Sequence, residues 1–524
     1  MCFVMNIIDW KQEKIKGILS TFDRIIIKGY SLQLSNINQM GYFLSHNNVL
    51  LKDFGEYAEK VTKSLCEHIE NIAKINNRPY QFLYGNDIDK GELARKILQE
   101  NPIQDGLIGI FSNIEVCSTM NVIKNGKNKK LELKWGPRKC KYYYLYYFDK
   151  DFGFMHIKIQ SWFPFMVQIY INGHEWLKQQ LIKENISFEM YNNSFSYIEN
   201  IPKAQEIADK IIDSKISDKF DSMIKEINNF LPTIEETFSH GYFWCLAECE
   251  YSTDIIHDSR ESIDDYFKSL VENAFYTFKC DDVMSFFGRK LKNTGFQFKG
   301  EITSDLRKRN QGFRLKHKMK SNQIKMYDKG YSIRIETTIN DPHEFKILKD
   351  VEKIVDHKEI VTEKKWLPMG KSIANLYRYA EVCKAINTRY INALPIPTEK
   401  EIVINKLENI SNRKEINNRI YTGFNLFNKD DIRLFNILAD AGLLINGFTN
   451  KILRSRYFKD DDDFNSKKIR NKTTRLIDKL RKHGIIKKVG SASKYYVTEN
   501  GRKIINYFML YQNKEIPEFL SKNN

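Results

Sequence analysis

The sequence predicts an α+β protein: two domains built on antiparallel sheets, followed by a C-terminal winged helix-turn-helix. Three observations lead there. Helical and strand periodicities alternate through the first 225 residues, three strands follow one another closely in the middle of the chain, and the last hundred residues read helix, helix, basic helix, hairpin. A chain of 524 residues is too long for a single core. Leu394-Pro395-Ile396-Pro397 and the charged, Asn-rich stretch to Thr422 form the clearest linker, and a softer boundary lies between Asp213 and Phe230. The expected divisions are 1–225, 226–394, a linker at 395–424, and 425–512.

In the first division, Gly106 to Phe111 reads as a buried strand. Tyr142 to Phe148 and Phe154 to Ser161 read as a hairpin about Lys150-Asp151. Val167 to Ile171 is a further strand, with Pro164 marking a bend before it. His174 to Lys183 has helical spacing, and Ser187 to Ile198 returns as extended chain. The middle division opens with a strand at Tyr242 to Glu250 and a helix from Ser259 to about Phe278. Strands at Phe313 to Lys320, Gln323 to Lys329 and Ser332 to Ile339 then form a meander.

Period-two alternation sorts the meander's side chains. Met326, Ile333 and Ile335 face a core. Arg314, Lys316, Lys318, Lys325, Tyr327 and Lys329 take the other face, as do Arg334 and Glu336. A tyrosine among cations with a carboxylate on the next strand meets the needs of tyrosine-mediated strand transfer. The phenol attacks a phosphodiester, Lys325, Lys329 and Arg334 hold the phosphate charge, and Glu336 holds a divalent metal. On spacing alone, a solvated sheet face laced with salt bridges is the commoner outcome.

In the last division, Lys429 to Ala441 carries Ile432, Phe435 and Leu438 at helical spacing, with Gly442 as its stop. A second helix fits Thr449 to Phe458, and a third runs from about Lys467 to His483, ended by Gly484. Leu476, Ile477 and Leu480 line its inner face, and Lys468, Lys472, Arg475, Lys479 and Lys482 lie largely opposite. The hairpin Ile485 to Thr498, with its Gly490 to Ser493 tip and Lys494, completes a wing, and a closing helix begins near Glu499. A cationic helix beside a small-residue wing suits major-groove docking on duplex DNA; a winged helix used only for protein contacts is the alternative.

A net charge of +17 favours a polyanionic partner. Part of the lysine excess matches the Lys, Ile and Asn bias of an AT-rich genome. The eight cysteines contain no CxxC pair, which argues against a zinc ribbon and suits a reducing cytoplasm. Met1 to Ile8 is too short and too soon interrupted by charge for a signal peptide, and no apolar run reaches the ~20 residues a membrane helix needs. The chain is therefore expected to be cytoplasmic, with no membrane partner. P-loop, GxGxxG and GxSxG motifs are absent. His156, and His174 with Glu175, are more often structural than metal-binding at such spacing. Cys245 and Cys249 read as buried thiols, and Asp460 to Asp463 as a solvated loop.

Three resemblances add to this. Lys325-Met326-Tyr327-Asp328-Lys329 followed by Arg334-Ile335-Glu336 resembles the signature of rolling-circle replication initiators of small phages and plasmids, with Phe286 to Lys290 loosely similar to an upstream segment. That resemblance covers about 100 residues. It implies acidic metal ligands in Leu246 to Asp254, where Glu248, Glu250 and Asp254 are the candidates, with Mg2+ or Mn2+ as the cofactor. The paired His-hydrophobe-His motif of those proteins is missing. Lys150 to Ile157 is similar to the RNP1 strand of RNA-recognition motifs, with Asp151 where that motif has Gly and Ile157 where it has an aromatic. It implies a base-stacking face of Phe152, Phe154, His156 and Lys158 beside Tyr142, Tyr144 and Tyr146, with a packed core as the equal alternative. Over nearly its whole length, the chain resembles an uncharacterised prokaryotic family often labelled MarR-type regulators. The matching stretches include Phe22-Asp23-Arg24, Trp162 to Phe165 and Glu336 to Pro342.

Together these readings point to a nucleic-acid-processing protein of a mobile element. Duplex DNA would lie on the winged helix, and a single strand or hairpin on the α+β domains. Two alternatives stand beside this: a non-catalytic DNA-binding regulator, and an RNA-binding partner of a structured non-coding RNA.

Overall fold

The computed structural model describes most of the chain between residues 11 and 510. The longest stretches outside the description are 1–7, 290–300, 395–407, 460–464 and 513–524. The acidic run at 460–463, much of the linker and residues 490–492 of the wing tip therefore lie outside the described residues, as does most of the apolar N-terminus.

Among the described residues, thirteen strands run to the end of the meander: β1 (Ile15–Tyr30), β2 (Tyr80–Phe82), β3 (Gly106–Lys124), β4 (Leu131–Asp149), β5 (Gly153–Gln160), β6 (Val167–Ile171), β7 (Phe188–Met190), β8 (Phe195–Ile198), β9 (Phe243–His257), β10 (Ile302–Arg309), β11 (Gly312–Met319), β12 (Asn322–Asp328) and β13 (Ser332–Ile339). Eleven of them form one sheet in the order β10-β11-β12-β13-β9-β1-β6-β5-β4-β3-β2, antiparallel except for β2 on β3. The two sheets expected on either side of residue 225 are thus one. Its centre is β1, flanked by β6 and β9. The reason is a non-local pairing: fourteen residues of β1 find partners on β9. The β1 sequence carries no local signal of which strand will adopt its edge.

Alternation divides the sheet into two faces. Ile25 and Ile27 of β1, Ile169 of β6, Ile335 of β13 and Met326 of β12 are fully buried on one of them. Amphipathic helices cover that face, among them α1 (Phe54–Ile75), α2 (Ile216–Ile227) and α3 (Leu376–Ala393), which send Leu65, Phe220 and Ile386 into the same core. Asn387 of α3 is buried there too and is answered by Thr337 Oγ1 at 2.6 Å and Tyr251 O at 3.2 Å. The other face is polar and half-exposed along much of its length. At one end of it, α4 (Lys90–Glu100) builds a small separate core over Phe111, Tyr146 and Phe154.

Most elements fall where the sequence puts them, with extensions where pairing lengthens a strand: β3 continues to Lys124 and β9 to His257. A disulfide joins Cys117 and Cys140 across the β3–β4 hairpin. In the C-terminal part, α5 (Lys429–Leu438), α6 (Ala441–Asn446), α7 (Asn450–Tyr457), α8 (Lys467–Lys482) and α9 (Glu499–Leu510) surround a three-stranded sheet of Phe448–Thr449, Lys494–Val497 and Ile486–Lys488. Gly442 does not end the first helix. Leu438 does, and Asp440 then caps α6 by accepting from Leu443 N–H. Gly484 does end α8, at φ +73°. Phe435, Leu453, Leu480 and Phe508 form the core of this part.

Candidate functional site

The charged residues of the polar face converge where β12, β13, β9 and β1 lie side by side. Register places Lys325 opposite Glu336 and Tyr327 opposite Arg334; β9 then sets Asp254 against Arg334 and Glu250 against Thr338, and Arg24 of β1 faces Glu250. A register shift between Phe22 and Arg24 brings Asp23 into the same cluster. A bulge breaks strict alternation, so consecutive residues can serve one site.

Two layers result. In the outer one, Lys325 Nζ donates to Glu250 Oε1 at 2.8 Å and Glu336 Oε1 at 2.6 Å. The Tyr327 hydroxyl donates to the other oxygen of Glu336. Arg24 pairs with Glu250 at 3.0 Å and also with Glu248. Burial, reinforced by the Asp23 and Glu250 charges, pushes Glu336 up to about 7. Burial and then the Glu336 charge push the Tyr327 phenol well above its ordinary value. Burial opposes the charge on Lys325, but Glu336 and Glu250 outweigh it and hold the ammonium more firmly than usual.

The inner layer is centred on Arg334, which has no exposed surface. Its Nε and Nη2 each donate to an Asp254 oxygen at 2.6 Å, and Nη2 also meets Asn193 O at 2.8 Å and His174 Nε2 at 2.9 Å. Asp23 Oδ1 lies 3.3 Å from both Arg334 Nη1 and His174 Nδ1, and accepts from Asn193 Nδ2 at 2.5 Å. Asp254 is held well below the usual carboxylate range: burial opposes this, and the Arg334 charge prevails. The helix that carries His174 (Gly173–Lys183) can approach this closely because Gly173 has no side chain. A Cβ there would lie 2.1 Å from Phe22 O.

Carboxylate oxygens of Asp23, Glu250 and Glu336 all come within 4.8 Å of one another. Three hard oxygen donors at that spacing suit Mg2+ or Mn2+. Beside them is a cavity of about 210 Å³ lined by Tyr327, by the cations Lys325, Lys329, Arg314 and Arg309, and by one carboxylate, Asp328. That is below the range of small-molecule pockets and of a size for one phosphate group.

The structure therefore brings Tyr327, Lys325, Lys329, Glu336 and Glu250 together. It corrects two assignments. Arg334 is no phosphate clamp, because it is sealed under the sheet surface, and Asp254 is no metal ligand, because Arg334 takes both its oxygens. Asp23, Arg24 and His174 are the residues that sequence reasoning missed in this site. The sequence marks Phe22-Asp23-Arg24 only as a matching stretch and His174 only as a histidine more often structural than metal-binding, and alternation could not place either in this cluster.

The stacking surface proposed around Phe152 is also corrected. Phe152 and Phe154 are buried, the first against Phe220 and the second beneath Arg95. The His156 ring packs between Tyr146 and Tyr170, and burial lowers it to about 4. Lys158 pairs with Glu115 at 2.8 Å. The tyrosines on that face fare differently: Tyr142 and Tyr144 remain half-exposed.

On α8, Lys468, Lys472 and Arg475 are exposed. Lys479 is drawn 4.0 Å over the Phe424 ring, Lys482 lies over Tyr421, and Lys494 of the hairpin over Tyr496. The cationic surface of this helix is thus its leading half.

No family model, curated protein or solved structure matches the chain.

Proposed function

We propose that this is a nucleic-acid-processing protein that nicks and joins a strand through Tyr327. The observation behind the reading is the phenol hydroxyl donating to Glu336 at the wall of a phosphate-sized, cation-lined cavity. A carboxylate lifted toward neutrality is matched to general-base work. In the proposed step the Tyr327 oxygen attacks phosphorus and its proton passes to Glu336. The strand's leaving oxygen departs with the bonding electrons, and a phosphotyrosine bond replaces the phosphodiester bond. Lys329 and Arg314 hold the equatorial oxygens. Asp23, Glu250 and Glu336 would hold Mg2+ or Mn2+, which neutralises charge on the phosphate. Arg334 and His174 position Asp23 from behind.

The C-terminal part supports a duplex partner for the same protein. Its helix order, its hairpin and the exposed Lys468, Lys472 and Arg475 on the leading half of α8 fit a winged helix-turn-helix on DNA. The similarity of Tyr327 to Glu336 to rolling-circle initiators, and of the whole chain to proteins labelled MarR-type, agrees with a mobile-element origin.

The test is incubation with labelled single-stranded and hairpin DNA from the flanks of the gene, with Mg2+ or Mn2+, resolved on a denaturing gel. A protein-linked band that disappears in Tyr327→Phe is expected. Cleavage that persists in that variant removes Tyr327 from the role. One observation favours a second reading, a binding-only regulator: Lys325 already neutralises Glu250 and Glu336 without a metal. Tight duplex binding with no adduct on any strand would select it.

A further inference from the structure

We infer that the polar face of the central sheet is a track for a single polynucleotide strand, running from Tyr142 and Tyr144 over Lys28 and Arg24 to Tyr327. The inference rests on the strand-processing reading and names its substrate class.

Register supplies the path. Tyr144 of β4 lies opposite Lys158 of β5, Lys158 opposite Gln168 of β6, and Gln168 opposite Lys28 of β1. These four side chains make a row across four neighbouring strands. Through β9 and β13 the same face continues to Lys325 and Lys316, which are opposite one another on β12 and β11. Most helices that cover the sheet send their buried side chains to the other face; on the polar one, α4 covers the Tyr146 end, and His174 and Asn193 close over Arg334, leaving the row from Tyr144 to Lys28 open. Six inter-strand steps separate β4 from β12, roughly 29 Å across the strands at the usual spacing, and the path also runs along them, because Tyr327 lies level with Leu19 of β1 and not with Lys28.

The chemistry of the row selects the ligand. Lys28 is exposed and no carboxylate pairs with it among the described residues. The Lys158 ammonium lies 4.0 Å over the Tyr142 ring, so cation and aromatic are presented together. Glu115, Glu248 and Glu250, acidic groups along the path, are answered by Lys158, Arg24 and Lys325. Half-exposed tyrosines interleaved with cations stack unpaired bases while the cations follow the phosphates. A duplex hides its base faces and gains nothing from Tyr142 and Tyr144.

The experiment is fluorescence anisotropy of the full chain with oligo-dT and oligo-U strands of about 4 to about 16 nucleotides. Affinity is expected to rise with length until the strand spans the row. Lys28→Glu is expected to remove most of that gain, weakening the longest strand about fivefold or more and lowering the salt slope by about 1. A thermal melt confirms that this exposed substitution folds, and Gln168→Glu is a second probe of the row. A preference for oligo-dT or oligo-U assigns the natural strand to DNA or RNA, and equal binding leaves the track indifferent to the sugar. Affinity independent of length, or long-strand binding unaltered in both variants, overturns the track. The strand-transfer reading fails separately: length-dependent binding lost in Lys28→Glu, without any Tyr327 adduct, keeps the track and discards the chemistry.

Discussion

Arg334→Met tests the inner layer of the site most directly. In the wild type the guanidinium donates two bonds of 2.6 Å to Asp254, whose side chain is 1% exposed, and stands 3.3 Å from Asp23, whose side chain is 12% exposed. Methionine fills much of the same volume and removes the charge. Two carboxylates then lie buried with His174, Asn193 and Ser194 as remaining partners. Breaking a buried pair from one side costs about 3–5 kcal/mol, and the loss should appear as a lower urea midpoint at unchanged slope. The pH dependence supplies a sign. In the wild type Arg334 depresses the Asp254 pKa, so the stability from that pair is present above the unfolded value of about 3.9 and disappears as pH falls through the folded value. In the variant, burial is no longer opposed by the Arg334 charge and moves both carboxylates up from their wild-type values. Stability should then increase as pH drops from 7 toward 5 more steeply than in the wild type, where the Asp254 pair adds no slope in that window and only the raised Glu336 carboxyl contributes. Asp254→Asn added to Arg334→Met should recover part of the loss. A loss below about 1 kcal/mol, or a wild-type pH slope in the variant, would refute the claim that Arg334 is held as a buried ion pair.

Lys325→Met removes the cation that Mg2+ or Mn2+ must displace. Metal at a hundredfold excess over its Kd should stabilise the variant by about 2.7 kcal/mol, with a smaller shift in the wild type; a thermal melt unmoved by metal in both proteins counts against the Asp23, Glu250 and Glu336 site. Glu336, lifted to about 7 by burial, contributes stability that is full below its unfolded value of about 4.3 and lost as pH rises through 7. Glu336→Gln should flatten the urea midpoint between those limits, and an unaltered profile argues against the assignment. Gly173→Ala drives a methyl group to within 2.1 Å of the Phe22 carbonyl and should cost about 1–3 kcal/mol in urea unfolding, whereas Gly55→Ala, with nothing within 4 Å of its added Cβ, should not destabilise.

The outer layer of the site was legible because strand alternation is local. Lys325, Tyr327 and Glu336 occupy alternate positions on adjoining strands of one meander, and the turns between them fix the register. Asp23 was not legible. It reaches the cluster through a bulge on a strand far up the chain, and neither the bulge nor the β1–β9 pairing has a local sequence mark. Arg334 was placed on the right face and given the wrong depth, since period two reports the direction of a side chain but not what lies over it. Asn193 and His174, from other elements, close over it. The same limit explains Phe154, whose strand was read correctly while the helix that buries it, Lys90–Glu100, went unnoticed. In the C-terminal part, helix spacing and Gly484 gave the elements, but Asp440 starts a short helix that the glycine at 442 concealed.

The position of β1 in the sheet has a consequence for how the protein comes into being. The first strand among the described residues is the central one, and the partner on its second edge, Phe243–His257, emerges more than two hundred residues later. Until then a long apolar strand carries an unmatched row of amide and carbonyl groups, which other chains can capture. A nascent chain of this kind gains from a holdase at its exposed edge. A fragment cut near residue 225 would have no finished half of the machine to offer: it would lack the partner strand, the carboxylates of Glu250 and Glu336, and the arginine that keeps Asp23 in place.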